Sequence, residues 1–202
     1  YYGPFVLNCQ APDEGNMHTL LNWATDEQKE KYLKPLCEGT TMSCFAMTEP
    51  EVAGSDPTLI RTHAVKDGDE WVINGHKWFI SNARRASFAI LICRTEDNPD
   101  LPQAANTAFI VETHWEGWNR VREVETMHGG TGHSEIVIED LRVPDANMLG
   151  GRGQGHLLGQ SRLGPARLAH CMRWIAQAET ARTRSTPGTN PATNTSSNDT
   201  SA

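Results

Sequence analysis

Between Thr41 and Leu149 short apolar runs recur, separated by turn signals and by connections too short to hold a crossover helix. This pattern constrains the chain more than any other, because parallel strands need a crossover of roughly a dozen residues or more. It predicts an antiparallel sheet, a barrel or sandwich, with helical segments on either side, so an α+β chain. Candidate strands cover 43–47, 59–66, 70–74, 77–81, 88–94, 107–112 and 135–143. Lys66-Asp67-Gly68-Asp69 and Asn74-Gly75 are turn contexts between them. Phe88-Ala89-Ile90-Leu91-Ile92-Cys93 is apolar on both faces, which predicts a central, fully buried strand.

Outside this region the period is helical. Residues 1 to about 40 read as helix, with Thr25-Asp26-Glu27-Gln28 as a capping box and Pro35 and Gly39 marking the end. Tyr32, Leu33 and Leu36 are offered to a core. From about 154 to 182, Leu157, Leu158, Ser161, Leu168, Cys171, Met172, Ile175 and Ala176 recur at three and four. Gly164-Pro165 interrupts them, which predicts two helical pieces or one with a kink. Residues 183–202 contain no aromatic and no aliphatic larger than Ala, so they are expected to be a disordered low-complexity tail.

Several function classes are excluded by composition. Lys and Arg number 18 against 25 Asp and Glu, a formal charge of −7 with no basic run, which does not suit nucleic acid. No window of about 18 apolar residues exists, so no membrane span is expected. Five cysteines at wide spacing, with no Cys-x-x-Cys, read as reduced thiols in an intracellular compartment. His128 and His133 share a Gly-rich loop without further ligands at workable spacing, so no metal site is expected.

Two stretches carry chemistry. In Phe45-Ala46-Met47-Thr48-Glu49-Pro50…Gly54-Ser55-Asp56 a strand runs into a Pro turn and a small-residue loop. Its amides and the Thr48 hydroxyl can face a flat polar ligand, while Gly54 and Ser55 can hold an anionic oxygen. In Asn74-Gly75-His76-Lys77-Trp78-Phe79-Ile80-Ser81 an aromatic stands beside a hydroxyl, which can wall a flat ring and bond its rim. Taken singly, the first also reads as an ordinary strand–turn link and the second as an amphipathic strand with core aromatics.

Together, in this order and separation, the two stretches resemble the central region of the acyl-CoA dehydrogenase family. The resemblance continues through Glu135-Ile136-Val137-Ile138-Glu139-Asp140-Leu141-Arg142-Val143-Pro144 and Gly151-Arg152-Gly153-Gln154-Gly155 to residues 162–173, and covers about 5–182. It implies the last stretch of an N-terminal helical domain over 1–40, a β domain over 41–150 and the opening of a truncated C-terminal helical bundle over 151–182. It also implies FAD, an acyl-CoA substrate dehydrogenated at its α and β carbons, and a homo-oligomer. Acyl-CoA oxidase is the alternative within the class, and an inactive flavin- or protein-binding fragment the alternative outside it. Mitochondrion, peroxisome or cytoplasm all fit the family.

Site roles follow from the same resemblance. Phe45, Ala46, Met47, Thr48, Glu49, Gly54 and Ser55 line the flavin, with Met47 and Thr48 against the ring and Ser55 by the phosphate or pantetheine. Phe79, Ile80 and Ser81 form the second wall, Phe79 and Ser81 standing where the family usually has Trp and Thr. Arg167 approaches the CoA, and Gly164 stands where some members place a substrate-contacting Asp. The catalytic base is expected beyond this chain. Its alternative position is Ala166, so no catalytic residue and no turnover are expected of the isolated chain. Glu49 and Glu51 read as a turn carboxylate and a solvated one.

Overall fold

A computed structural model of the chain describes residues 11–97, 100–127 and 132–185. It divides into two compact units, Tyr1–Gly164 and Pro165–Ala202. Helix α1 is Asp13–Trp23, and the helical segment α2 is α-helical over Asp26–Gln28, π-helical over Lys29–Leu33 and α-helical again over Lys34–Cys37. The strands are β1 (Ser43–Ala46), β2 (His63–Asp67), β3 (Glu70–Ser81), β4 (Phe88–Arg94), β5 (Asn106–Glu112), β6 (Trp118–Glu123), β7 (His133–Pro144) and β8 (Met148–Leu149), followed by helix α3 (Gly155–Ser185).

All eight strands join one sheet in the order β6-β7-β3-β2-β4-β5-β8, with β1 beside β4. The sheet is largely antiparallel, as expected for an α+β chain. Two pairings are parallel, β1 with β4 and the single His63–Arg94 bridge of β2 with β4. No crossover helix is needed for them, because the β2–β3 hairpin lies between β1 and β4 in the chain and returns it to the same direction.

Alternation along β4 explains its burial. Ala89, Leu91 and Cys93 face one core, with Trp71 and Ile73 of β3 and Ile136, Ile138, Leu141 and Val143 of β7. Phe88, Ile90 and Ile92 face a second core, with Ala108, Ile110 and Leu149 and the helix residues Leu20, Tyr32, Leu36 and Leu158. Each large aliphatic side chain buried this way contributes about 1.5–3 kcal/mol.

The Thr25 capping box is present, with Thr25 accepting from the Gln28 amide and the Gln28 side chain accepting from the Thr25 amide. Gln28 also donates to the carbonyls of Ala146 and Met148, which pins α2 to β8.

Several expectations are corrected. Asn74-Gly75 is not a turn: β3 runs unbroken from Glu70 to Ser81, and Gly75 sits at a register shift inside it. A Cβ there would lie 2.2 Å from Thr62 Oγ1, so the glycine serves a close approach rather than a reversal. The Lys66–Asp69 turn does form, with Gly68 at φ 61°. The strand expected from 59 begins only at His63, because Pro57–Leu59 is a 3-10 turn capped by Asp56. Pro35 lies inside a helical turn instead of ending it, since Pro is tolerated in a first turn, and Gly39 at φ 72° follows the end at Cys37. β6 and β8 were not expected. β6 exposes most of its side chains, and β8 is two residues long. Helix α3 is a single element with Pro165 inside it, and it runs to Ser185, into the expected tail. Residues 186–202, where the rest of that tail falls, lie outside the described residues.

Candidate flavin-facing hollow

β1 sets the first wall by alternation. Cys44 and Ala46 point into the sheet core, so Phe45 and Met47 turn to the helix side. Immediately after β1, the Thr48 hydroxyl donates to the Trp78 carbonyl at 2.6 Å and the Trp78 amide donates to the Thr48 carbonyl at 3.0 Å. The two motif stretches, about thirty residues apart in sequence, are thereby clamped edge to edge.

Beneath the clamp Lys77 is buried in the sheet. Its Nζ donates to the Met47 carbonyl at 2.9 Å and to Glu49 Oε1 at 2.8 Å. Glu49 is 2 % exposed and also accepts from the amides of Arg61 and Thr62. Burial pushes the Glu49 carboxyl up, but the Lys77 ammonium and these hydrogen bonds outweigh it and hold it below its usual range. Glu49 is therefore a structural counter-ion, not the turn carboxylate expected. Glu51 is exposed, as expected, yet its Oε1 lies 2.7 Å from His76 Nδ1.

A register shift between Lys77 and Ile80 shapes the second wall. Phe79 adopts φ 53°, a left-handed conformation that costs a bulky residue on the order of 1–3 kcal/mol. The residue is consequently 42 % exposed, while Ile80 drops into the core. Ser81 Oγ lies 2.9 Å from His133 Nδ1.

Phe45, Met47, Thr48, Phe79 and Ser81 line one hollow of about 310 Å³, together with Arg162 and Leu163 of α3. A second cavity of about 450 Å³ shares Ser81 with it and continues along Asn82, Arg84 and His133. Of the other expected site residues, Ala46 and Ile80 are buried in the sheet core behind the walls. Gly54 and Ser55 lie on an exposed loop, Gly54 close to the Thr48 methyl. Ala166 and Arg167 belong to the second unit, Arg167 exposed on α3.

Arg162, Asn16, Lys77 and His133 were not anticipated as parts of this site. Lys77 alone left a trace in the sequence, as a charge at an inward position of a β pattern. Arg162 depends on α1, to which Asn16 and Pro12 offer it acceptors from almost 150 residues away. Among the described residues no group of three or more His, Cys, Asp and Glu gathers to hold a metal, and no helix is long and apolar enough to cross a membrane.

An exposed aromatic face, apolar neighbours and two hydroxyls at one hollow fit a flat ring with a polar rim. Residues 44–141 match the family model "Acyl-CoA dehydrogenase, middle domain". Acyl-CoA dehydrogenase family member 11 of Gallus gallus is 42% identical over 189 residues, covering 90% of this chain and 24% of its own. A Mycobacterium abscessus protein whose structure was solved as an acyl-CoA dehydrogenase superposes with TM-score 0.83 at 37% identity, covering 94% of this chain and 48% of that one. Butyryl-CoA dehydrogenase of Megasphaera elsdenii superposes with TM-score 0.69 at 34% identity, covering 73% and 38%. This chain belongs to the acyl-CoA dehydrogenase family, whose members are in general FAD-dependent oxidoreductases. It spans about a quarter of the chicken relative and under half of the mycobacterial one.

Proposed function

We propose that this chain supplies the flavin-facing part of an FAD-dependent acyl-CoA dehydrogenase. The observation that carries the reading is the convergence of the 45–48 and 79–81 stretches on one hollow through the Thr48–Trp78 clamp. FAD, when bound, supplies the two-electron acceptor for oxidation of the acyl thioester. The chain's own residues position it. Phe79, Phe45 and Met47 present apolar surface to the ring and exclude water from it. Thr48 Oγ1 and Ser81 Oγ hold hydrogen-bonding oxygen at the rim. Lys77 and Glu49 keep the backbone of Met47 and Thr48 in register, so that these groups need no reorganisation when the ring enters. Ser55 and Arg167 are assigned to the CoA portion of the substrate, and homo-oligomerisation to the whole protein, by family resemblance.

Dehydrogenation also needs a carboxylate to take the α proton. Among the described residues none lining the hollow is Asp or Glu. The reading is therefore that this chain binds FAD without turning over acyl-CoA. Titration of the purified chain with FAD, followed by flavin fluorescence, tests the first half. Saturable binding is expected, weakened about tenfold, roughly 1.4 kcal/mol, by Phe79→Ala or by Thr48→Val. An absence of binding would refute it. Dye reduction with a range of acyl-CoAs, repeated with dioxygen as acceptor, tests the second half, and clear turnover in either arm contradicts it.

A further inference from the structure

A flat apolar pocket has no need of a cation, yet Arg162 lines this one. Its seat is built for a guanidinium. Gly15 lacks the Cβ that would lie 2.8 Å from Arg162 Cζ. Arg162 Nε donates to Asn16 Oδ1 at 3.1 Å and Nη2 to the Pro12 carbonyl at 3.3 Å. The guanidinium carbon stands 4.3 Å from the centre of the Phe45 ring. Asn16 is fully buried, and its amide nitrogen is engaged by Ser43 Oγ and the Cys44 carbonyl, which turns Oδ1 to the arginine. Both of these acceptors, Asn16 Oδ1 and the Pro12 carbonyl, are neutral. Among the described residues no carboxylate lies within ion-pair distance of Arg162. Burial pushes the guanidinium below its ordinary value, with Glu14 as the acidic group that acts against it. A largely buried cation without a counter-ion costs free energy. Keeping one at a ligand hollow is useful where the occupant brings the negative charge.

We infer that Arg162 is the counter-charge for reduced flavin in the hollow and so raises the reduction potential of the bound cofactor. The inference rests on the flavin reading above. Two-electron reduction of FAD takes up two electrons and one proton and gives FADH⁻. The donor is the acyl thioester in the reaction of a whole dehydrogenase and dithionite in the experiment below. The ring thereby gains one negative charge. A fixed cation beside it stabilises the reduced form more than the oxidised one, and that difference is what a potential measures.

The test is the midpoint potential of the FAD-loaded 202-residue chain, titrated with dithionite under nitrogen against a reference dye. Arg162→Gln is expected to lower it by about 30 mV, the equivalent of a tenfold loss in preference for reduced over oxidised flavin. Arg162→Lys, which keeps the charge, is expected to stay close to the parent. Asn16→Asp, which sets a carboxylate against an intact guanidinium, is expected to fall as Arg162→Gln does. This variant carries the test if circular dichroism shows Arg162→Gln unfolded. Equal potentials in parent and charge-neutralised variants overturn the inference and leave flavin binding standing. A fall in Arg162→Lys as large as that in Arg162→Gln overturns it too, because shape and not charge would then be responsible. If the parent binds no FAD, the flavin reading and this inference both fall.

Discussion

At the scale of single residues, the Lys77–Glu49 pair is the most consequential. Both side chains are essentially excluded from solvent, 0% and 1% exposed. Desolvation makes such a pair a weak source of net stability, whereas removing one partner strands the other charge. Lys77→Met is expected to lower unfolding free energy by about 3–5 kcal/mol, read by urea denaturation. A loss below about 1 kcal/mol would mean that Glu49 finds another partner or a proton at little cost. His76 gives a pH signature. Partial burial pushes its imidazole down, but hydrogen bonds to Glu135 and Glu51 outweigh that and hold it above the usual 6.5. A group whose folded value is raised contributes stability that is complete below the unfolded value and lost as pH rises through the folded one. Stability should therefore decline as pH climbs above about 6.5, and His76→Gln should flatten that decline. An NMR titration placing the His76 midpoint below 6.5 would reverse the sign.

At the scale of elements, β3 concentrates both the legible and the illegible. Its two halves could be read as strands from alternation alone, but their continuity could not. Asn74-Gly75 has turn chemistry, and only the approach of Thr62 in three dimensions decides that the glycine stays in the strand. Asn74 meanwhile bonds Asp140 of β7, itself at φ 48°, through both amide atoms. Gly75→Ala is expected to destabilise by about 1–3 kcal/mol through overpacking against Thr62. An unchanged thermal midpoint would show that β2 and β3 can part to admit the methyl. β4 was legible because a strand buried on both faces must be apolar at every position. β6 was not, because Asn119, Arg120, Val121 and Arg122 are all exposed and nothing in their order marks a strand. The bends that aim Phe79 outward and Ile80 inward left no trace in composition either, because a register shift is a property of the pair of strands.

At the scale of the whole molecule, the hollow joins residues from four distant parts of the chain, around 12, 47, 80 and 162. Two of these were recognisable as motifs because local backbone and side-chain chemistry define them. The other two enter only when α1 and the start of α3 fold back, so Arg162 and its neutral seat could be found in the structure alone. Residues 44–141 carry the family signature, and the helices around them complete the hollow. The central expectation is that the cofactor ring rests in that hollow. A crystal structure of the chain grown with FAD tests it most directly. The account predicts ring density against Phe79 and Met47, with rim atoms within hydrogen-bonding reach of Thr48 Oγ1 and Ser81 Oγ. Ring density elsewhere on the protein, with this hollow empty, would contradict it.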